Sequence, residues 1–110
     1  FVIVLRVKES QEELGSGMCR IIARIFLEKG RAIKTSVSLV CEINGKQKCV
    51  LRYDCAHGFL HKDLCYKRPP EKEVIQEELS GEFVWKTINY LRKNHEKYKK
   101  YYERNYGEEK

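Results

Sequence analysis

One stretch in the first half of the chain alternates between two kinds of residue at every second position. Its first series is mostly apolar and consists of Ile33, Thr35, Val37, Leu39, Cys41 and Ile43. The positions between them carry Lys34, Ser36, Ser38 and Glu42. A period of two places successive side chains on opposite faces of a β-strand. The stretch therefore predicts a half-buried strand in a sheet that has one solvent-facing side.

Similar patterns predict four further strands. The segment from Cys19 to Leu27 alternates in the same way, with a helix as the alternative interpretation, and Asn44-Gly45 is typical of a hairpin turn. Pro69-Pro70 is expected to end the sheet. The predicted strands, in a five-stranded antiparallel meander, run from Phe1 to Val7, Cys19 to Leu27, Ile33 to Ile43, Lys48 to Cys55, and Phe59 to Tyr66.

The C-terminal part of the chain predicts a long helix. Ser80 is the expected N-cap, with Glu82 in the first turn. An apolar stripe recurs at spacings of three and four through Val84, Ile88, Leu91, His95, Tyr98 and Tyr102. Such a stripe should pack against one face of the sheet. The prediction is an α+β fold forming a single domain over 1–110: a sheet over 1–68, a connector over 69–79 that could hold a short helix, a helix over 80–106 and a tail over 107–110.

Charge and composition narrow the classes of partner. The 110 residues include 22 Lys or Arg and 16 Asp or Glu, which gives a net charge of +6 and favours an acidic partner such as RNA. Charged residues form 35 % of the chain while Asn and Gln are few, a balance typical of a thermophilic source. No apolar run reaches about 18 residues, and no basic leader is visible, so we expect a cytoplasmic protein with no membrane partner.

Five cysteines occur at positions 19, 41, 49, 55 and 65, and none forms a C-x-x-C pair. This spacing favours cysteines that act as small apolar residues over a zinc cluster. A disulfide is compatible with a thermophilic source. A two-residue loop at Asn44-Gly45 would place Cys41 opposite Lys48 and Cys49 on the other face, whereas a three-residue loop would place Cys41 opposite Cys49.

The densest group of reactive side chains lies between Arg52 and His61. If Leu51 and its alternate neighbours Cys49, Tyr53 and Cys55 face the helix, Arg52 and Asp54 must project from the opposite face of the sheet. His61 and Asp63 of the next strand would then share that face, with His57 at its rim. The candidate catalytic residues are Arg52, Asp54, His57 and His61, and the nearby cations Arg20 and Arg24 could help to hold a phosphate.

Three interpretations of this group stay open. In the first, His57 and His61 act as base and acid in metal-independent RNA cleavage, and Arg52 stabilises the phosphorane. In the second, carboxylate and imidazole groups bind a divalent metal that activates water; the ligands would be Asp54, His57, His61 and Asp63. In the third, Arg52 and Asp54 form an ion pair and the histidines have no catalytic role.

The end of the predicted helix interleaves lysines with tyrosines. Lys97, Lys100 and Tyr101 are candidates for nucleic-acid binding through phosphate contact and base stacking. Arg20 and Arg24 on the sheet are candidates for the same role. The alternative is an amphipathic helix whose lysines are simply solvated.

Two parts of the chain carry a family resemblance. The segment from Arg52 to His61, together with the Asn94-His95-Glu96-Lys97-Tyr98 stretch, resembles small prokaryotic toxins of the TumE-like group. The resemblance implies a toxin of a toxin-antitoxin pair, with a cognate antitoxin as partner, and it implies that Arg52, Asp54, His57 and His61 are important. Three departures are Cys55 within the motif, His95 where a Trp is expected, and the first 47 residues, which are longer than expected and lie outside the resemblance.

Two alternatives of other classes remain. One is a non-catalytic module that binds RNA or a protein through a basic surface. The other is a structural homodimer that pairs exposed edge strands.

Overall fold

The computed structural model describes residues 5–56 and 59–107, and these form an antiparallel sheet covered on one face by a C-terminal helix. The elements are β1 (Leu5–Leu14), β2 (Cys19–Glu28), β3 (Arg31–Ile43), β4 (Lys46–Ala56), β5 (Phe59–Leu64), β6 (Glu71–Ile75) and α1 (Gly81–Tyr106). Each strand pairs with its neighbours in chain order. The prediction of an α+β meander with a C-terminal helix is confirmed, but the described sheet has six strands rather than five.

The two outer strands differ most from the prediction. The connector over 69–79, which could have held a short helix, instead contains β6, and Glu71–Ile75 pairs with β5 from Leu60↔Ile75 to Leu64↔Glu71. Pro69-Pro70 therefore precedes an edge strand instead of ending the sheet. The first strand, predicted to stop at Val7, extends to Leu14, and residues 1–4 lie outside the described residues. Both strands are rich in charge, which an edge strand tolerates because one of its sides is free of pairing.

The helix begins and packs as predicted. Ser80 is the N-cap, its Oγ accepts a hydrogen bond from the Phe83 N–H at 3.0 Å, and Glu82 lies in the first turn. Leu91 at the centre of the stripe is fully buried. Among the described residues, no helix is long and apolar enough to cross a membrane.

The core lies between α1 and the inner face of the sheet, the face that α1 covers. Its completely buried members include Leu39 on β3, Leu51 on β4 and Leu91 on α1. A second contact ties α1 to β1, because Arg92 donates from Nε and Nη2 to the two carboxylate oxygens of Glu12, both at 2.7 Å. These hydrogen bonds hold the pKa of Glu12 below its usual value. The opposite, outer face of the sheet carries polar residues that include Arg24, Arg52 and Asp54.

Two β-bulges set which side chains reach each face. The register of β2 with β3 shifts between Phe26 and Leu27, where Ile33 is the extra residue. The register of β3 with β4 shifts between Leu39 and Val40, where Val50 is the extra residue. After the second bulge the alternation of β4 is reversed. Cys49 pairs with Val40 and lies on the outer face, as predicted for a two-residue loop and contrary to the assumption that it faces the helix, whereas Leu51 faces the core.

The hairpin between β3 and β4 closes through two residues. Asn44 and Gly45 have φ angles of 53° and 78°, and Ile43 pairs with Lys46. Positive φ at both positions is the requirement of the turn that best matches the twist of a hairpin. Cys41 consequently lies opposite Lys48, the arrangement predicted for a two-residue loop.

The first bulge brings Cys19 opposite Cys41, and these two cysteines form a disulfide bond. If Ile33 were paired instead of bulged, the register set at the β2–β3 turn would continue unchanged and Cys19 would face Val40. Cys55 is a buried free thiol, as expected of a small apolar residue, while Cys49 and Cys65 are half-buried free thiols.

Removing the disulfide should lower the stability of the fold. The bond joins positions 22 residues apart, and closing a loop of that length stabilises a protein by about 3 kcal/mol through the unfolded chain. We expect Cys19→Ala/Cys41→Ala to lose about that much free energy of unfolding in urea. Cys55→Ala, which removes one buried sulfur, should lose about 1 kcal/mol. Equal losses for the two variants would contradict this account.

Candidate nucleic-acid interface

The outer face of the sheet brings together three of the four candidate catalytic residues. Arg52 pairs with Asp63 across β4 and β5, and Asp54 pairs with His61. The predicted sharing of one face by these four side chains agrees with this register. His57, the fourth candidate catalytic residue, lies outside the described residues.

The charge of Arg52 is offset by two carboxylates. Its Nη2 donates to Asp54 Oδ2 at 3.3 Å, and its Nε lies 3.6 Å from Asp63 Oδ2. Lys72 on β6 lies 3.7 Å from the other carboxylate oxygen of Asp63. A guanidinium between two carboxylates attracts a phosphate only weakly. An incoming phosphate must either displace one of the carboxylates or come close to their negative charges. The arrangement favours the ion-pair interpretation of Arg52 and Asp54.

His61 is the one member of this group with an unsatisfied atom in the described structure. Its Nδ1 is buried and has no hydrogen-bond partner among the described residues, and its ring lies 6.5 Å from that of Phe59. Within residues 5–56 and 59–107, no three His, Cys, Asp or Glu side chains are grouped so as to hold a metal ion. The divalent-metal hypothesis therefore has no described ligand set.

Arg20 and Arg24 lie on the same outer face but point to different partners. Arg24 Nε donates to Glu9 Oε1 at 2.8 Å, and Arg20 Nη1 donates to Gln11 Oε1 at 3.4 Å. Both partners belong to β1, at the side of the sheet away from Arg52. The structure does not gather these arginines and Arg52 into one basic patch.

The three helix candidates divide between two sides of α1. Lys97 lies over the rings of Tyr90 and Tyr98 at 5.9 and 5.0 Å. Tyr101 packs on Tyr66, with ring centroids 5.5 Å apart. Lys100 lines a small cleft at the β1–β2 turn, on the other side of the helix.

Tyrosines form a network between the helix and the sheet. Tyr98 contacts the rings of Tyr66, Tyr90 and Tyr101, and its hydroxyl is hydrogen-bonded to that of Tyr90. Burial, followed by the Tyr90 hydroxyl, raises the pKa of Tyr98, so this phenol stays neutral at physiological pH. The predicted alternative of a packed tyrosine face thus describes Tyr98 and its neighbours.

A more open basic and aromatic site lies at the end of α1, and the sequence analysis missed it. Tyr102 and Tyr106 are stacked, with ring centroids 4.6 Å apart and an interplanar angle of 29°. With Lys46 and Lys48 of β4 they line a cleft of about 390 Å³, which we call the end cleft. The remaining lining residues are Ile43, Asn44 and Gly107. In the described ranges of the chain, neither lysine forms an ion pair.

Backbone contacts hold the walls of the end cleft. The Tyr106 hydroxyl donates to the Lys67 carbonyl at 2.5 Å, and Asn44 Nδ2 donates to the Gly107 carbonyl at 3.0 Å. Arg68 lies over the Tyr106 ring at 5.4 Å. The end of α1 is therefore fixed to the β3–β4 turn and to the β5–β6 connection. A signal for the site exists in the sequence: Lys46 and Lys48 share one face of a strand, and Tyr102 and Tyr106 share one face of a helix.

Replacing Arg52 tests the ion-pair network. Arg52→Gln leaves Asp54 and Asp63 without their shared cation, and we expect a loss of roughly 1 to 2 kcal/mol in the free energy of unfolding. Arg24→Gln on the same face removes a single, more exposed pair with Glu9 and should lose less than about 1 kcal/mol. Urea denaturation of both variants measures the difference. An Arg52 variant as stable as the parent would contradict the network.

Comparison with known proteins gives one match. No curated protein and no solved structure matches the chain. A family model matches residues 6–108, a range that includes β1 from its second residue, all the later strands and the whole of α1. The chain belongs to the family described as the domain of unknown function DUF7718.

Proposed function

We propose that the chain is a non-catalytic binding module for single-stranded nucleic acid, and that the end cleft is its binding site. Bases would stack on the tyrosine pair Tyr102 and Tyr106, and backbone phosphates would contact Lys46 and Lys48. Aromatic platforms next to lysines are the usual means of holding a single strand without reading its sequence.

The observation that carries the proposal is the location of Lys46 and Lys48. Both line the same cleft as a stacked tyrosine pair, and neither has an acidic partner in the described part of the chain. Their charges are therefore available to a phosphate. By contrast, the guanidinium of Arg52 already contacts Asp54 and Asp63.

The distribution of charge also favours this end of the molecule. Positions 97 to 106, the C-terminal part of α1, hold four Lys or Arg and one Glu, and Lys99 and Glu103 among them form an ion pair. On the outer face of the sheet, Arg24 and Arg52 are each paired with a carboxylate. An excess of positive charge along the helix would raise the local concentration of a polyanion before it reaches the cleft.

The proposal includes no reaction. The resemblance to TumE-like toxins rests mainly on the segment from Arg52 to His61, of which Arg52, Asp54 and His61 lie on the outer face of the sheet, the face away from α1. In RNA cleavage Arg52 would have to stabilise the phosphorane, and its two carboxylate partners oppose that role. We therefore expect bound RNA to remain intact.

Reversing the charge of the two cleft lysines should weaken binding. We expect Lys46→Glu/Lys48→Glu to bind a fluorescein-labelled 12-nucleotide RNA at least tenfold more weakly at low salt, because two phosphate contacts become repulsive. Fluorescence anisotropy measures the affinity, and the salt slope should fall by about 1.4 for the two contacts. Electrophoresis of the same samples shows whether the RNA is cleaved.

The matched control is Lys8→Glu/Lys34→Glu, which changes the net charge by the same amount on β1 and β3, where both lysines are exposed. It should reduce the affinity less than threefold. Equal weakening by the two double variants would show that total charge, and not the end cleft, determines binding.

Removing one stacking ring should lower affinity without changing the salt slope. Tyr102→Leu keeps an apolar side chain but removes a base platform, which contributes about 1 to 3 kcal/mol per stacked base, or roughly five- to hundredfold in affinity. Phe59→Leu is the control, since Phe59 is an aromatic on the outer face with 62 % of its surface exposed. Unchanged affinity for Tyr102→Leu would contradict the stacking role.

A further inference from the structure

The three free cysteines differ in their surroundings. Cys55 is buried on the core face of β4, whereas Cys49 and Cys65 are half-buried. Cys49 lies on the outer face because it pairs with Val40, just ahead of the bulge at Val50 that turns Leu51 to the core. Cys65 directly follows Leu64, whose side chain is in the core, so Cys65 lies on the outer face as well.

The sheet register brings these two thiols together. β4 and β5 are paired as far as Arg52↔Asp63, and continuing the two strands by a few residues leads to Cys49 and Cys65. The two thiols are near enough that each one shifts the pKa of the other. The Cys49 thiol also lies 3.8 Å from the Leu51 carbonyl oxygen. The bulge has thus placed two cysteines of neighbouring strands side by side at the solvent-facing surface.

The charges around the pair give the two sulfur atoms different chemistry. The neighbouring Cys49 thiol lowers the pKa of Cys65 to about 7, with burial and Asp63 opposing and Arg52 assisting. The interaction with Cys65, followed by burial, raises the pKa of Cys49. A thiolate is the nucleophilic form of cysteine. Cys65 is therefore the reactive sulfur, and Cys49 is the neighbouring thiol that can resolve its oxidised form.

We propose that Cys49 and Cys65 form a dithiol that hydroperoxides oxidise to a second disulfide bond, next to Arg52 and distinct from Cys19–Cys41. Reversible cysteine oxidation typically uses one reactive, accessible cysteine with a second cysteine next to it that resolves the oxidised form. The inference depends on the β4 bulge and the β4–β5 register, and it does not rest on nucleic-acid binding.

The reaction has two steps. The Cys65 thiolate attacks one oxygen of the hydroperoxide, an S–O bond forms, the O–O bond breaks, and the leaving oxygen takes a proton to become water or an alcohol. The Cys49 sulfur then attacks the Cys65 sulfenic acid, an S–S bond forms, the S–O bond breaks, and the departing hydroxide takes the Cys49 proton to become water. The two sulfurs together lose two electrons, which reduce one hydroperoxide.

Tryptic peptides separate the three thiols and make the test direct. Cleavage after Lys and Arg places Cys49 in residues 49–52, Cys55 in residues 53–62 and Cys65 in residues 63–67. We expect treatment of the full chain with hydrogen peroxide to yield the linked peptide 49–52/63–67, two hydrogens lighter than its parts, in non-reducing mass spectrometry. Cys55 should remain alkylatable after unfolding.

Two single variants separate the roles of the sulfurs. In Cys49→Ser, Cys65 should stop at the sulfenic acid and be trapped by dimedone. In Cys65→Ser, Cys49 should be modified at least tenfold more slowly than Cys65 in the parent. Absence of the linked peptide, or modification of Cys55 as fast as Cys65, would overturn the proposal.

Discussion

The packing of α1 on the inner face of the sheet is the constraint on which the rest of the structure depends. Leu91 of the helix and Leu39 and Leu51 of the sheet are completely removed from solvent, and burial of a leucine stabilises a fold by about 1.5 to 3 kcal/mol. One helix covers one face, so each strand must send its apolar residues inward and its polar residues outward. The two surfaces of the molecule follow from this requirement.

The two bulges determine which side chains of β3 and β4 enter the core, and they also determine which cysteines become neighbours. The extra residue Ile33 shifts β2 against β3 and brings Cys19 opposite Cys41. The extra residue Val50 lets both Val50 and Leu51 enter the core, while Cys49, just ahead of the bulge, lies on the outer face. Each hairpin thus contains one bulged residue. The first bulge aligns the cysteines of the core disulfide, and the second lies beside the thiol pair at the surface.

Sequence patterns predicted the central features of the fold and failed where pairing partners decide the structure. The alternation in β3 and the stripe on α1 report burial directly, so both were recognised. β6 has the sequence Glu-Lys-Glu-Val-Ile and becomes a strand because β5 offers it an edge. The adjacent apolar residues Val50 and Leu51 were a readable sign of a bulge. For the site, the outer-face position of Arg52 and Asp54 followed from alternation, but the role of Asp63 as second partner of Arg52 and the end cleft depended on tertiary contacts.

The central functional claim is that nucleic acid binds at the end of α1 and not on the outer face of the sheet. Titrating ¹⁵N-labelled protein with a single-stranded 12-nucleotide RNA, and following the backbone amide signals by NMR, tests it most directly. The account predicts shifts concentrated at residues 43–48 and 102–107, which surround Lys46, Lys48 and the tyrosine pair. Shifts concentrated at residues 52–54 and 61–63, with the helix end unchanged, would contradict it.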